Sequence, residues 1–395
     1  MIDEKGINKR LDELDALLNN TKYAKQKGTL KDDLIKFLNK MNPPKDLSTA
    51  YPSDVRMFLV FKEKDGKTKV HRLGCAFISK KHKNSKCDCP LRRSAGSVDS
   101  LIGQVRAIFR DFGRGSDWNA ILGIGNPAAA PIIKRYLAAI RLEQSVSATT
   151  PRRAPPLFRD KLYNILRHIT YKLTNPNLSL IHRYILLRDR TFLNLLSYTG
   201  DRAGDLGTLL TDQIFAIPNN EGIILNLCTG KTIDIRDPRV VVVLKCDSLE
   251  YCPVNDLKKY MEFCKENGFV LTGGYLFRSI DSYSNISDKP LTSSAVNGRV
   301  KSFLFKLNLW EGETPHSTRG GCALTLAWMV IDQESIKQHV GWKSNTMFHH
   351  YTVSNDMCSR YASAKALSVE QSKTPRQKIY EHCKDYLNLT KFIEC

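Results

Sequence analysis

The chain has 395 residues, 60 of them Lys or Arg and 40 Asp or Glu, for a formal net charge of +20. That length allows two or three domains of roughly 100–200 residues each, and a hydrophobic content of 42% supplies an ordinary globular core. So large a positive surplus opposes compaction and favours a polyanionic partner. No apolar run approaches the ~20 residues needed to cross a bilayer, so nucleic acid is the expected partner and a membrane is not.

The 11 cysteines are odd in number and spread along a chain that opens without a signal peptide. The expectation is a reducing, intracellular compartment with mostly free thiols. No Walker A or Rossmann glycine pattern occurs, so nucleotide-driven chemistry has no support.

Residues 1–50 read as an N-terminal helical arm. Leu11, Leu14, Leu17 and Leu18 recur at helical spacing, as do Leu30, Leu34, Ile35 and Leu38. Asn42, Pro43 and Pro44 then end the pattern.

A second unit is expected over residues 51–144. Within 67–92, His71, Cys75, Cys87 and Cys89 offer the donors of a four-coordinate structural zinc site, with His82 an alternative to His71. A loop held by metal would present Lys80, Lys81 and Lys83 to a phosphate backbone, joined by Arg92 and Arg93. Apolar residues at i, i+3 and i+4 predict helices over 98–109 and 131–142.

This block resembles a known family. Lys67 to His71 (KTKVH), Cys75, the run Cys87-x-Cys89-Pro90-Leu91-Arg92 and the segment 96–103 resemble the ALOG domain of plant developmental regulators. That domain is akin to the core-binding domain of DIRS-like and Crypton recombinases. The resemblance covers about residues 67–141 and implies a helical DNA-binding domain with a zinc-ribbon insertion.

Residues 145–156 are rich in Ser, Thr and Pro and read as a linker. Arg152 and Arg153 within it are candidate DNA contacts.

The third unit is expected over 157–367. Helical patterns cover 157–173 and 180–198, and Arg202 and Asp205 follow a Thr-Gly turn. Residues 223–244 read as two or three β-strands, rich in Ile and Val. Helices are expected over 254–267 and 293–307, with a loop over 281–289. Residues 368–395 form a helical tail. Arg299, Lys301 and Lys306 are further residues able to line DNA.

Near the end of this unit His316 and Arg319 stand three apart just after Pro315, where a loop enters a helix. An apolar run, Gly341-Trp342 and Tyr351 follow in order. A guanidinium forks onto phosphate oxygens, His and the indole N–H donate to others, and a tyrosine supplies an oxygen nucleophile. The set suits phosphoryl transfer to Tyr351.

His316-x-x-Arg319, Gly341-Trp342 and Tyr351 resemble the C-terminal signature of the tyrosine recombinases and integrases. Arg202 with Asp205 resembles the family's first arginine motif, with Asp in place of the common Glu. Lys231, after Gly230, sits where the family keeps a catalytic lysine on a β-hairpin, with Lys245 and Arg236 as alternatives.

The resemblance implies a mainly α fold with a small antiparallel β-sheet (α+β). In it a helical core-binding domain and a catalytic domain form a C-shaped clamp on DNA. It also implies double-stranded DNA as substrate, catalysis without a cofactor and any zinc structural. A dimer on each site, a tetramer in synapsis and action in the nucleus follow as well. Asp205 orients a neighbour, and the tail can pass to an adjacent protomer. The competing functions are a recombinase-derived DNA-binding regulator without catalysis and a type IB topoisomerase.

Overall fold

The computed structural model describes residues 4–19, 21–78, 87–147, 154–230, 233, 236–329 and 331–348. The chain divides into two compact units, residues 1–152 and 153–395. It is mostly helical with small antiparallel sheets, the α+β class expected.

The first unit opens with α1 (Glu4–Asn19) and α2 (Lys22–Asn39), the latter capped by the Thr21 hydroxyl, which accepts from the Ala24 N–H. The two helices share an apolar spacing but not a fate. Ile7, Leu11, Leu14 and Leu17 of α1 are exposed, whereas Leu34 and Leu38 of α2 are fully buried. Those leucines pack with Phe58 of α3 (Pro52–Glu63), with Val105 and Ile108 of α4 (Ala95–Phe109) and with Ile133 and Tyr136 of α5 (Pro131–Val146). The arm read over residues 1–50 thus contains one helix at the surface and one in the core of this unit.

Between α3 and α4 a two-stranded ribbon forms from β1 (Thr68–Lys69) and β2 (Leu91–Arg92), antiparallel. A second small hairpin, β3 (Trp118–Asn119) with β4 (Ile124–Gly125), precedes α5. The sequence showed no sign of it. Its strands are two residues long, too short for alternation to register.

The second unit is built around α7 (Leu180–Thr199), which packs on α6 (Arg159–Leu173) and on α9 (Pro253–Glu266). From Arg188 onward α7 is buried almost all round, and its charges are paired. Arg190 Nε meets Asp256 at 2.8 Å, Arg188 meets Asp189 at 2.7 Å, and Arg299 also pairs with Asp189. A buried charge persists only with such a partner.

After the short α8 (Ala203–Gly207) come β5 (Ile214–Ala216), β6 (Gly222–Leu227) and β7 (Arg239–Leu244), one antiparallel sheet in that order. The hairpin expected over 223–244 is β6 with β7, and β5 is an added strand upstream. Leu225, Leu227, Val241 and Val243 turn into the core, while Val240, Val242 and Leu244 face out.

One expectation is corrected. Residues 281–289 do not form a loop throughout: β8 (Arg278–Ile280) pairs with β9 (Ile286–Pro290). The Asp281 carboxylate accepts from the N–H groups of Tyr283 and Asn285 and folds the turn. The strand itself, ISDKP, is too polar to read as one.

Helices α10 (Ser293–Lys306), α11 (Pro315–Trp328) and α12 (Gln333–Val340) complete the described unit. Among the described residues no helix is long and apolar enough to cross a membrane.

Candidate active site and metal centre

The candidate active site begins where α7 stops. Gly200 closes the helix in the left-handed region (φ 59°), and a Cβ there would lie 3.0 Å from Cys322 Sγ on α11. Glycine is therefore required by both conformation and space.

The next residue, Asp201, is buried, and its Oδ1 accepts from the Arg202 N–H at 2.8 Å and from Arg239 Nη1 at 2.8 Å. Burial pushes this carboxyl up, and the Arg239 charge works against that. Arg202 itself is half-buried at the N-terminus of α8, with Nη1 3.2 Å from Asp205 Oδ2. Asp205 thus pairs with the first candidate arginine.

Gly230 packs closely on that same carboxylate, since a Cβ on Gly230 would lie 2.8 Å from Asp205 Cγ. The strand end that leads to residue 231 is thus brought to the Arg202–Asp205 pair. Lys231 and Tyr351 lie outside the described residues, as do Lys80, Lys81, Lys83, Arg152 and Arg153.

Helix α11 supplies the second arginine. Pro315 starts it, and Ser317 Oγ accepts from the Thr314 N–H at 3.0 Å. His316 is exposed and Arg319, three residues on, is 2% exposed. Arg319 Nη1 donates to the Gly200 carbonyl at 2.8 Å, two residues before Arg202, and its guanidinium lies 5.4 Å over the Trp342 ring. Stacking on an aromatic face is what a planar guanidinium does better than an ammonium.

Trp342 reaches that position because α12 ends in Gly341 with φ 74°, which turns the chain back on itself. Trp342 is buried with Cys322, Ala323, Ile336 and Val340 in a small separate core. His339, one turn earlier, has its Nε2 2.8 Å from the Tyr198 carbonyl, and since a carbonyl only accepts, that nitrogen carries the proton. Burial pushes the His339 pKa down.

The structure therefore brings Arg202, Asp205, Arg319 and Trp342 around the end of α7 and exposes His316 on the helix that carries Arg319. Arg239 and Asp201 are not among the candidates the sequence offers. Their partners are carbonyls and carboxylates far away in sequence, and spacing gives no sign of those.

Basic residues elsewhere sort into two kinds. Arg93 Nε donates to the Lys62 carbonyl at 2.7 Å, and Arg92 lies 3.5 Å from Glu63, so both tie the ribbon to α3. Arg299 is paired with Asp189, and Lys301 lies over Phe305 and Trp310. Lys172 differs: burial, then Lys306 and Arg299, hold it below the ordinary lysine value. His168 beside it is lowered by burial and by the same two lysines.

In the first unit the donor atoms of His71, Cys75, Cys87 and Cys89 all lie within 4.8 Å of one another. His71 Nδ1 is 3.5 Å from both Cys75 Sγ and Cys87 Sγ, and the Arg72 N–H donates to Cys89 Sγ at 3.4 Å. The Phe77 backbone N–H holds Cys75 down, but burial and the Cys89 and Cys87 thiols outweigh it and push it up. This group can hold a metal ion. His82 lies outside the described residues.

Comparison with known proteins bears on both units. Residues 15–142 match the ALOG domain and residues 177–357 the phage integrase family. The first match starts well ahead of residue 67 and takes in α2 and α3. Protein LIGHT-DEPENDENT SHORT HYPOCOTYLS 5 of Arabidopsis thaliana is 34% identical over 131 residues, 33% of this chain and 69% of that protein. Protein G1-like7 of Oryza sativa subsp. japonica is 33% identical over 131 residues, and the chain spans only 58% of its length. Among solved structures, the XerH site-specific recombinase in its post-cleavage complex with a palindromic difH substrate superposes with a TM-score of 0.53. It is 14% identical, with 83% of this chain and 75% of that one covered, a likeness of fold.

Proposed function

The chain belongs to the ALOG family and its second unit is a tyrosine recombinase domain of the phage integrase family; from that premise we propose that it is a site-specific recombinase of a Crypton- or DIRS-like mobile element. The observation that carries the reading is the meeting of the two candidate arginines. Arg319 grips the Gly200 carbonyl of the turn that bears Arg202, and Trp342 lies against its guanidinium.

Each role follows from chemistry. The Tyr351 hydroxyl attacks the scissile phosphorus, forming a P–O bond to tyrosine as the bond to the 5′-oxygen breaks. His316 takes the tyrosine proton, needed because a free tyrosine has a pKa of ~10. Arg202 and Arg319 hold the non-bridging oxygens and meet the charge that grows in the transition state. Lys231 returns a proton to the departing 5′-oxygen, a task arginine performs poorly. The 3′-phosphotyrosyl link keeps the phosphodiester energy, so a 5′-hydroxyl can reverse the step without ATP, on the same strand or a new one.

Zinc is the metal proposed for the first unit. Bonds of about 2.3 Å to sulfur and 2.0–2.1 Å to nitrogen in a tetrahedron place N and S about 3.6 Å apart, and the His71 Nδ1 distances to Cys75 Sγ and Cys87 Sγ are 3.5 Å. The ion would be structural, pinning the ribbon between α3 and α4. Chelation at neutral pH should release about one zinc per chain and lower DNA affinity while leaving the helical signal of the unit largely intact. The buried core of α2 to α5 does not depend on the ribbon. Metal analysis with circular dichroism before and after chelation checks this.

Double-stranded DNA is the proposed partner, with two protomers on a two-fold site and four in synapsis, acting in the nucleus. The Lys172–Lys306 cluster is a proposed phosphate contact. Lys172→Ala or Lys306→Ala should weaken binding evenly across sequences. Each should also reduce the slope of log affinity against log salt by about one, which titrations at several salt concentrations read.

Strand exchange tests the function itself. Two differently labelled duplexes bearing the selected site should yield recombinant strands. Relaxation of supercoils without any exchange would instead make the protein a topoisomerase.

A further inference from the structure

We infer that Arg239 is the positioning residue of the site, one side chain that sets the turn carrying Arg202 and the turn carrying Trp342 at a fixed distance. The inference rests on the recombinase reading above and adds a residue that neither the motif nor the family match assigns.

Arg239 is the first residue of β7, and its side chain is 10% exposed. The guanidinium makes bonds to two separate chain turns. Nη1 donates to Asp201 Oδ1 at 2.8 Å, and Nη2 donates to the Thr199 carbonyl at 2.7 Å and to the His339 carbonyl. Two of these acceptors flank Gly200 at the end of α7. Asp201 in turn accepts the Arg202 N–H, fixing the backbone from which Arg202 departs.

The third acceptor belongs to the last turn of α12. Two residues later Gly341 packs on the same side chain, where a Cβ would lie 2.7 Å from Arg239 Cδ. Only glycine lets the chain pass over the arginine stem in the left-handed conformation that delivers Trp342. Trp342 then lies against Arg319, and Arg319 returns to the Gly200 carbonyl. The loop of contacts closes, from Arg239 through Asp201 to Arg202 and from Arg239 through the α12 terminus to Trp342, Arg319 and Gly200.

A planar fork with several donors can serve three acceptors at once; an ammonium on a lysine stem reaches fewer of them with worse geometry. Catalytic groups displaced by about 1 Å lose roughly a hundredfold in rate. Loss of the fork should therefore slow cleavage at saturating DNA while leaving DNA affinity in place, because Arg239 is largely enclosed and bonded within the unit.

The test uses the full chain with Arg239→Lys and Arg239→Met and a nicked duplex selected by covalent capture from a randomised library. DNA affinity, melting temperature and single-turnover adduct formation at saturating DNA are measured together. Arg239→Met strands the buried Asp201 carboxylate and is expected to lose stability. Arg239→Lys keeps a charge for Asp201, so it should recover the melting temperature yet remain slower than the natural chain by about 30-fold or more. A lysine variant that binds, melts like the natural chain and cleaves within about threefold of it overturns the inference, leaving Arg239 a mere counter-charge. A natural chain that forms no adduct at all overturns instead the reading on which the inference rests.

Discussion

Replacing Tyr351 with Phe will abolish covalent attachment to DNA and leave DNA affinity almost unchanged. The substitution removes one oxygen and keeps the ring. That oxygen is the proposed nucleophile, and water attacking in its place would leave no protein-linked product. The expected loss of adduct is on the order of 10⁴-fold or more, as for other lost nucleophiles. Gel shift and denaturing electrophoresis on the same samples read affinity and attachment side by side. Adducts that survive the change would place the nucleophile elsewhere.

The second large effect is expected at Arg319. Arg319→Lys keeps the positive charge but loses the fork that holds the Gly200 carbonyl and, on the proposed reading, a phosphate oxygen, and it loses the flat face against Trp342. Removing one well-placed donor to developing negative charge costs roughly 10²–10³ in rate, and single-turnover cleavage at saturating DNA should fall by that much. Arg319 is 2% exposed, so a stability loss of about 1–3 kcal/mol accompanies it. Melting curves separate the two. A variant that melts lower but cleaves at the natural rate would show that Arg319 serves the fold alone.

The candidate motif was legible in the sequence because its residues are tied to local features. His316 and Arg319 follow a proline at a helix start, Trp342 follows a glycine at a helix end, and Arg202 follows a Thr-Gly turn. Chain-local chemistry of this kind survives in a linear string. Arg239 was not legible because its partners Thr199 and His339 are 40 and 100 residues away. A valine-rich strand also gives its first residue no distinction.

Periodicity met a similar limit at the N-terminus. Leu11, Leu14 and Leu17 on α1 and Leu34 and Leu38 on α2 show the same kind of spacing, yet the first set is exposed and the second buried. Spacing defines an apolar face but does not say whether anything covers it. The four candidate metal ligands were legible by type, and their closeness depends on the pairing of β1 with β2, two strands of two residues each.

Covalent capture by the natural chain tests the central claim most directly. The full-length protein is mixed with a randomised library of nicked duplexes in buffer containing a chelator and no nucleotide. Adducts that resist denaturant are then digested and sequenced. The account predicts a single tyrosine-containing peptide, that of Tyr351, joined to a 3′-phosphate, with a free 5′-hydroxyl on the released strand. Attachment to a 5′-phosphate, attachment through another residue, or tight binding with no adduct would contradict it.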